Sequence, residues 1–127
     1  MGPLIDGDSV GRYEAALVEV EKTGGVVLAG GRVLDQTGNY VEPTLIKAKN
    51  DWQIVQDETF APILYLIPFK DLDEAMRMHN GVRQGLSSAI FTDNLQNAER
   101  FLSAAGSDCG IATVSLCQSQ VFQNQEE

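Results

Sequence analysis

Apolar residues recur every three or four positions over residues 8–23, where Val10, Tyr13, Leu17 and Val20 fall on one face of an expected helix. Asp8 or Ser9 can cap its start, and Gly24-Gly25 stops it, because glycine tolerates the left-handed backbone of a helix end. Val26 to Ala29 is an apolar run of strand length before Gly30-Gly31. A Gly38-Asn39 turn signal follows. Tyr40 to Ala48 is β-rich but broken by Pro43, which predicts an extended segment or an edge strand. Asp51 to Glu58 fits one helical turn, and Ile63 to Phe69 is a second apolar run. Over Asp71 to Asn80 the pattern returns to helix, with Leu72, Ala75, Met76 and His79 on one face and Asp71 and Glu74 at capping-box spacing. Ser88 to Thr92 reads as a strand. Asp93 to Ala105 reads as a helix with Leu95, Ala98 and Leu102 inward and Asp93 and Gln96 as its cap pair. Asp108 to Leu116 returns to strand character.

Strands alternating with helices predict an α/β fold: a mainly parallel sheet of about five strands with helices on its faces. Residues 1–117 form the expected domain. The tail, residues 118–127, is polar apart from Val121 and Phe122 and is expected to stay disordered.

Composition narrows the function classes. Nine Lys and Arg against 18 Asp and Glu give a net charge of −9, which argues against a nucleic-acid or anionic-membrane partner. No apolar run reaches the length of a membrane span, and no signal peptide precedes the acidic start. Two cysteines, Cys109 and Cys117, are too few for a disulfide scaffold, so a reducing cytoplasm is the expected setting. One histidine and two cysteines, none at metal-ligand spacing, predict no recognisable zinc site.

Side-chain chemistry read from the residues alone is sparse. Cys109 could be a nucleophile, but a thiolate needs a base or positive field beside it. Its neighbour Asp108 is an acid and the single His79 lies in a helix, so a buried structural cysteine outweighs a catalytic one. His79 itself reads as the rim of a packed helix rather than a ligand. Gly24-Gly25 and Gly30-Gly31 match neither a dinucleotide fingerprint nor a phosphate loop, and read as a helix stop and a turn. Asp73-Glu74 reads as favourable charge at a helix start. The segment Asp57-Glu58-Thr59-Phe60-Ala61-Pro62 combines an acid, an aromatic and a rigid turn beside a strand, where α/β proteins place ligand contacts. By composition alone it reads as a loop with a solvated carboxylate.

That segment and its neighbours resemble the aldehyde dehydrogenase superfamily. The blocks are Gly2-Pro3-Leu4, Ala29-Gly30-Gly31, Gly38-Asn39-Tyr40-Val41-Glu42-Pro43-Thr44, Glu58-Thr59-Phe60-Ala61-Pro62-Ile63 and Gln84-Gly85-Leu86-Ser87-Ser88-Ala89-Ile90-Phe91-Thr92. With Gly106-Ser107-Asp108-Cys109-Gly110-Ile111 they look most like the antiquitin branch, the α-aminoadipic semialdehyde dehydrogenases. The resemblance covers roughly residues 2–112 and implies oxidation of an aldehyde to the acid. In that reaction a cysteine thiolate attacks the carbonyl, hydride passes to NAD, and water releases the acyl group. It also implies that Glu58 accepts the ribose hydroxyls next to nicotinamide and that Phe60 packs near the nicotinamide ring. A carboxylate suits a vicinal diol, and an aromatic wall restrains a planar ring.

The resemblance also marks departures. The family's catalytic cysteine, general base, oxyanion donor and dinucleotide-binding domain fall upstream of this chain. Thr113 and Ser115 replace two asparagines, and the tail has the look of a frameshifted or artificial end. The expectation is a piece of a catalytic domain with no catalytic residue of its own and no tight hold on NAD. Its expected partner is a second copy of itself or a complementary enzyme half.

Overall fold

The structure is a computed structural model and describes residues 1–115. The chain divides into two compact units, Met1–Pro68 and a second from Phe69 onward.

The first unit opens with α1 (Gly7–Lys22). Asp6 caps it, accepting a hydrogen bond from the Ser9 N–H at 2.8 Å. Hydrogen bonds from Ser9 hold the Asp6 carboxyl below the usual range. The helix ends as its glycines require: Gly24 has φ +88°, and the Gly25 N–H closes on the Val20 carbonyl at 2.8 Å. Three strands follow: β1 (Val26–Ala29), β2 (Thr44–Lys47) and β3 (Ile63–Leu66), with the short α2 (Gln53–Gln56) before the last. They form one sheet in the order β1-β2-β3, antiparallel between the first two and parallel between the last two.

Pro43 predicts an extended segment or an edge strand, but β2 is the central strand of its sheet. The proline stands one residue before the strand starts, where its missing N–H removes no ladder bond. The core lies between α1 and one face of this sheet, around Tyr13, Leu17, Val20, Val41, Ile46 and Ala48. The Tyr13 hydroxyl crosses the core to Thr44 Oγ1 at 2.7 Å and donates to the Glu42 carbonyl at 3.1 Å. It ties helix to strand and pairs the Tyr13 and Thr44 hydroxyls inside the core. The opposite face of the sheet carries Val26, Leu28, Leu45, Leu64 and Leu66, all exposed.

The second unit contains α3 (Leu72–His79), β4 (Ser87–Phe91), α4 (Leu95–Leu102) and β5 (Ile111–Ser115). The two strands pair in parallel. Asp71 caps α3 by accepting from the Glu74 N–H at 2.9 Å, while the Glu74 carboxylate accepts from the Lys70 N–H at 2.6 Å, one residue beyond the usual box. In α4 the cap is Asn94, which accepts from the Gln96 and Asn97 N–H groups, and not the expected Asp93. Ala98 and Phe101 are buried, whereas Leu95 and Leu102, expected inward, are exposed.

The α/β class agrees with the sequence pattern, and so do the five strands found among the described residues. Among those residues they pair as a sheet of three and a sheet of two rather than as one sheet. The expected tail, and Cys117 with it, lies outside the described residues.

Candidate functional site

Glu58 and Phe60 stand in the loop between α2 and β3, and both ends of that loop are fastened. At the near end the Asp57 N–H donates to the Gln53 carbonyl at 3.1 Å, and Gln53 Nε2 donates to Asp57 Oδ2 at 2.9 Å. At the far end the Thr44 N–H donates to the Pro62 carbonyl at 2.9 Å, continuing the β2–β3 ladder by one bond. Between these anchors exposure alternates: Glu58 and Phe60 are exposed, Thr59 and Ala61 half-buried. Ala61 packs against the core cluster. Burial pushes the Tyr65 phenol on β3 up, and Thr59 acts on it weakly in the opposite direction. The loop therefore sends its small residues inward and presents its acid and aromatic to solvent.

Phe60 is held there against two costs. Its φ is +54°, the one positive value at a non-glycine residue among those described. A left-handed backbone costs an L-residue about 1–2 kcal/mol. Its ring is also 79% exposed, so the hydrophobic return for a phenylalanine is forfeited. Backbone outliers of this kind cluster at active sites and ligand clamps. Phe60→Asn, which accepts this backbone region more readily, is expected to raise the stability of the first unit by about 1 kcal/mol. Urea unfolding followed through Trp52, the chain's single tryptophan, measures it. A loss of stability would show that the ring packs on the chain after all.

A carboxylate and an aromatic ring two residues apart on an anchored loop can accept the hydroxyls of a diol and wall a planar ring. A shallow groove of about 490 Å³ beside the loop's far anchor is lined by Pro43, Thr44, Pro62 and Ile63 among others. It offers apolar surface and the ends of two strands. Gly30 and Gly31, at φ +76° and +94°, make the turn expected of them, and the Gly31 N–H donates to Thr44 Oγ1 at 2.9 Å.

The other sequence candidate, Cys109, lies in the second unit between α4 and β5 and is half-buried. Its Sγ is 3.5 Å from His79 Nε2. Spacing along the chain hides this neighbour, which is 30 residues away.

Residues 1–123 match the model of the Aldehyde dehydrogenase family. The chain is 47% identical over 116 residues to the α-aminoadipic semialdehyde dehydrogenase of Bos taurus, covering 91% of this chain and 22% of that protein. It is 42% identical over 116 residues to aldehyde dehydrogenase family 7 member B4 of Arabidopsis thaliana, covering 91% and 23%. Among solved structures, lactaldehyde dehydrogenase from Escherichia coli superposes with a TM-score of 0.83 at 33% identity, covering 90% of this chain and 24% of that one. The aldehyde dehydrogenase of Bacillus cereus, solved as its NAD+ complex, gives 0.83 at 27% identity, covering 90% and 23%. The chain thus spans less than a quarter of each relative's length. Its sequence blocks, its α/β fold and the match over residues 1–123 agree, and the chain belongs to the aldehyde dehydrogenase family.

Proposed function

We propose that this chain is a segment of the catalytic domain of an NAD-dependent aldehyde dehydrogenase, and that its contribution to the site is to hold the nicotinamide end of the cofactor. The observation that carries this reading is Phe60, kept exposed on a left-handed backbone two residues from the exposed Glu58. Those two residues fit the group: Glu58 would accept the ribose hydroxyls, and Phe60 would flank the nicotinamide ring. NAD supplies the hydride acceptor when bound. The loop's anchors at Asp57 and Pro62 fix where the acid and the ring stand, so their ordering entropy is met before the ligand arrives. The parent substrate we infer is α-aminoadipic semialdehyde, from the likeness to the bovine enzyme of that name.

The uncovered apolar face of the first sheet supports the same reading. Sheets of this kind are normally covered on both faces, and five exposed large apolar residues on one face call for a covering layer. We assign that cover to the remaining part of a family enzyme, of which this chain spans about a fifth.

Purified alone, with NAD and an aldehyde, the chain is expected to give no NADH above background. A calorimetric titration is expected to show no binding of NAD, because Glu58 and Phe60 reach only one end of it. Turnover that Cys109→Ala abolishes, or micromolar affinity for NAD, would overturn the reading. The positive test puts residues 1–115 in place of the matching segment of the bovine relative. In an active chimera Glu58→Ala is expected to cost about 10–100-fold in kcat/KM for NAD, since a hydrogen bond to a charged group is worth about 1.5–3 kcal/mol. An active chimera indifferent to both Glu58→Ala and Phe60→Ala would refute the assignment.

A further inference from the structure

The second unit gathers three metal-ligand side chains that the sequence keeps far apart. His79 closes α3, while Asp108 and Cys109 lie on the loop that enters β5. One donor atom from each, the imidazole nitrogen, a carboxylate oxygen and the thiol sulfur, lies within 4.8 Å of the other two. The His79 Nε2 to Cys109 Sγ distance is 3.5 Å. Zinc takes Zn–S bonds of about 2.3 Å and Zn–N bonds of about 2.0–2.1 Å at tetrahedral angles, which places the two ligand atoms about 3.5 Å apart. The nitrogen–sulfur edge is thus already at the length a bound zinc ion requires. The Asp108 side chain is exposed, so closing the two remaining edges asks only for a rotamer change of a solvated carboxylate.

The surroundings hold this arrangement in place. Asn80 bridges helix end and loop: its Nδ2 donates to the Gly106 carbonyl at 2.8 Å, and its Oδ1 accepts from the Asp108 N–H at 3.3 Å. The Gly110 N–H donates to the Gly85 carbonyl at 2.8 Å and pins the far side of the loop. The His79 ring lies 6.0 Å from that of Phe101. Ser107 Oγ sits 2.8 Å from His79 Nε2 and 2.7 Å from Ser88 Oγ. It occupies the nitrogen that a metal would take, and it would remain beside the fourth coordination position.

We propose that His79, Asp108 and Cys109 form a binding site for a zinc-like divalent cation, with three protein ligands and a fourth position left to water or to the Ser107 hydroxyl. The donor set decides the class of ion. Thiolate with imidazole selects zinc and its neighbours, whereas magnesium and calcium require oxygen. Binding replaces the thiol S–H bond by a sulfur–metal bond and releases the proton to solvent. None of the three residues belongs to the Glu58–Phe60 loop, so the site stands or falls apart from the cofactor reading.

Cobalt(II) is the probe, because a thiolate ligand gives it a sulfur-to-metal charge-transfer absorption that carboxylates on this acidic surface do not. The full chain carrying Cys117→Ser is expected to bind one cobalt ion with that absorption, and zinc is expected to displace it. Cys109→Ser is expected to abolish the absorption. His79→Gln is expected to weaken zinc at least ~10-fold, since even loss of an outer-shell partner costs about 10–100-fold in affinity. Zinc, but not magnesium, is expected to slow alkylation of Cys109 in the unsubstituted chain, a readout that needs no variant to fold. No sulfur absorption in the Cys117→Ser chain, its survival in Cys109→Ser, or alkylation of Cys109 at the same rate with and without zinc would each overturn the proposal.

Discussion

Ile46→Ala is expected to lower the stability of the Met1–Pro68 unit by about 3–4 kcal/mol. Ile46 is fully buried at the middle of β2, with Val27 opposite it on β1 and Tyr65 on β3. It shares the core with Tyr13, Leu17 and Val20 of α1. Truncation removes three carbons from a site walled by strands on both sides and a helix above, so little can collapse into the space. Substitutions of this kind cost about 2–5 kcal/mol. A unit of this size has a total stability of only about 3–10 kcal/mol, so the variant is expected to sit at the edge of unfolding. Trp52 packs against the same core and reports the first unit alone, while amide exchange over residues 69–115 serves as the internal reference. A shift below about 1 kcal/mol would mean that the helix–sheet contact does not organise this unit.

The elements whose patterns are local were legible. The Val10-Tyr13-Leu17-Val20 spacing marks α1 within one residue at each end, and the Asp71–Glu74 pairing marks the start of α3. What escaped depends on choices between near-equivalent neighbours. Asp93 and Asn94 are both good caps, and α4 buries Ala98 and Phe101 while Leu95 and Leu102 stay exposed, a choice of face that tertiary packing makes. Pro43 is a similar case, because a proline one residue outside a strand carries none of the cost of one inside it. Division into two sheets cannot be seen in alternation of strands and helices at all, since pairing partners are a long-range property.

The candidate sites divide along the same line. The acid-aromatic-proline run was visible because its residues are adjacent, and their exposure on one anchored loop follows from that adjacency. The left-handed backbone at Phe60 was not visible, because nothing in a phenylalanine announces it. The proximity of His79 and Cys109 is a tertiary fact: an acid beside the cysteine and a histidine 30 residues away read as unrelated until Asn80 ties the two segments together.

Gly30→Ala tests whether the loop's far anchor is as rigid as its bonds imply. Gly30 has φ +76°, and a Cβ there would stand 2.2 Å from the Pro43 carbonyl oxygen and 2.9 Å from Thr44 Oγ1. The first of these is backbone at the entry to the central strand and cannot swing aside. Left-handed strain costs about 1–2 kcal/mol and overpacking about 1–3 kcal/mol, while the entropy gained from a stiffer unfolded chain returns less than about 1 kcal/mol. The expected loss is about 2–4 kcal/mol, read through Trp52. Gly24→Ala separates the two causes. Gly24 has φ +88° but open space around it, so that variant bears the backbone strain without the clash. The excess loss at Gly30 therefore measures the resistance of Pro43 and Thr44 to displacement. Because the Thr44 N–H holds the Pro62 carbonyl, whatever displacement occurs passes to the loop carrying Glu58 and Phe60. In the active chimera Gly30→Ala should then raise KM for NAD although it touches neither residue. Equal losses at Gly30 and Gly24 would show instead that the strand entry yields freely and that the loop is not fixed from this side.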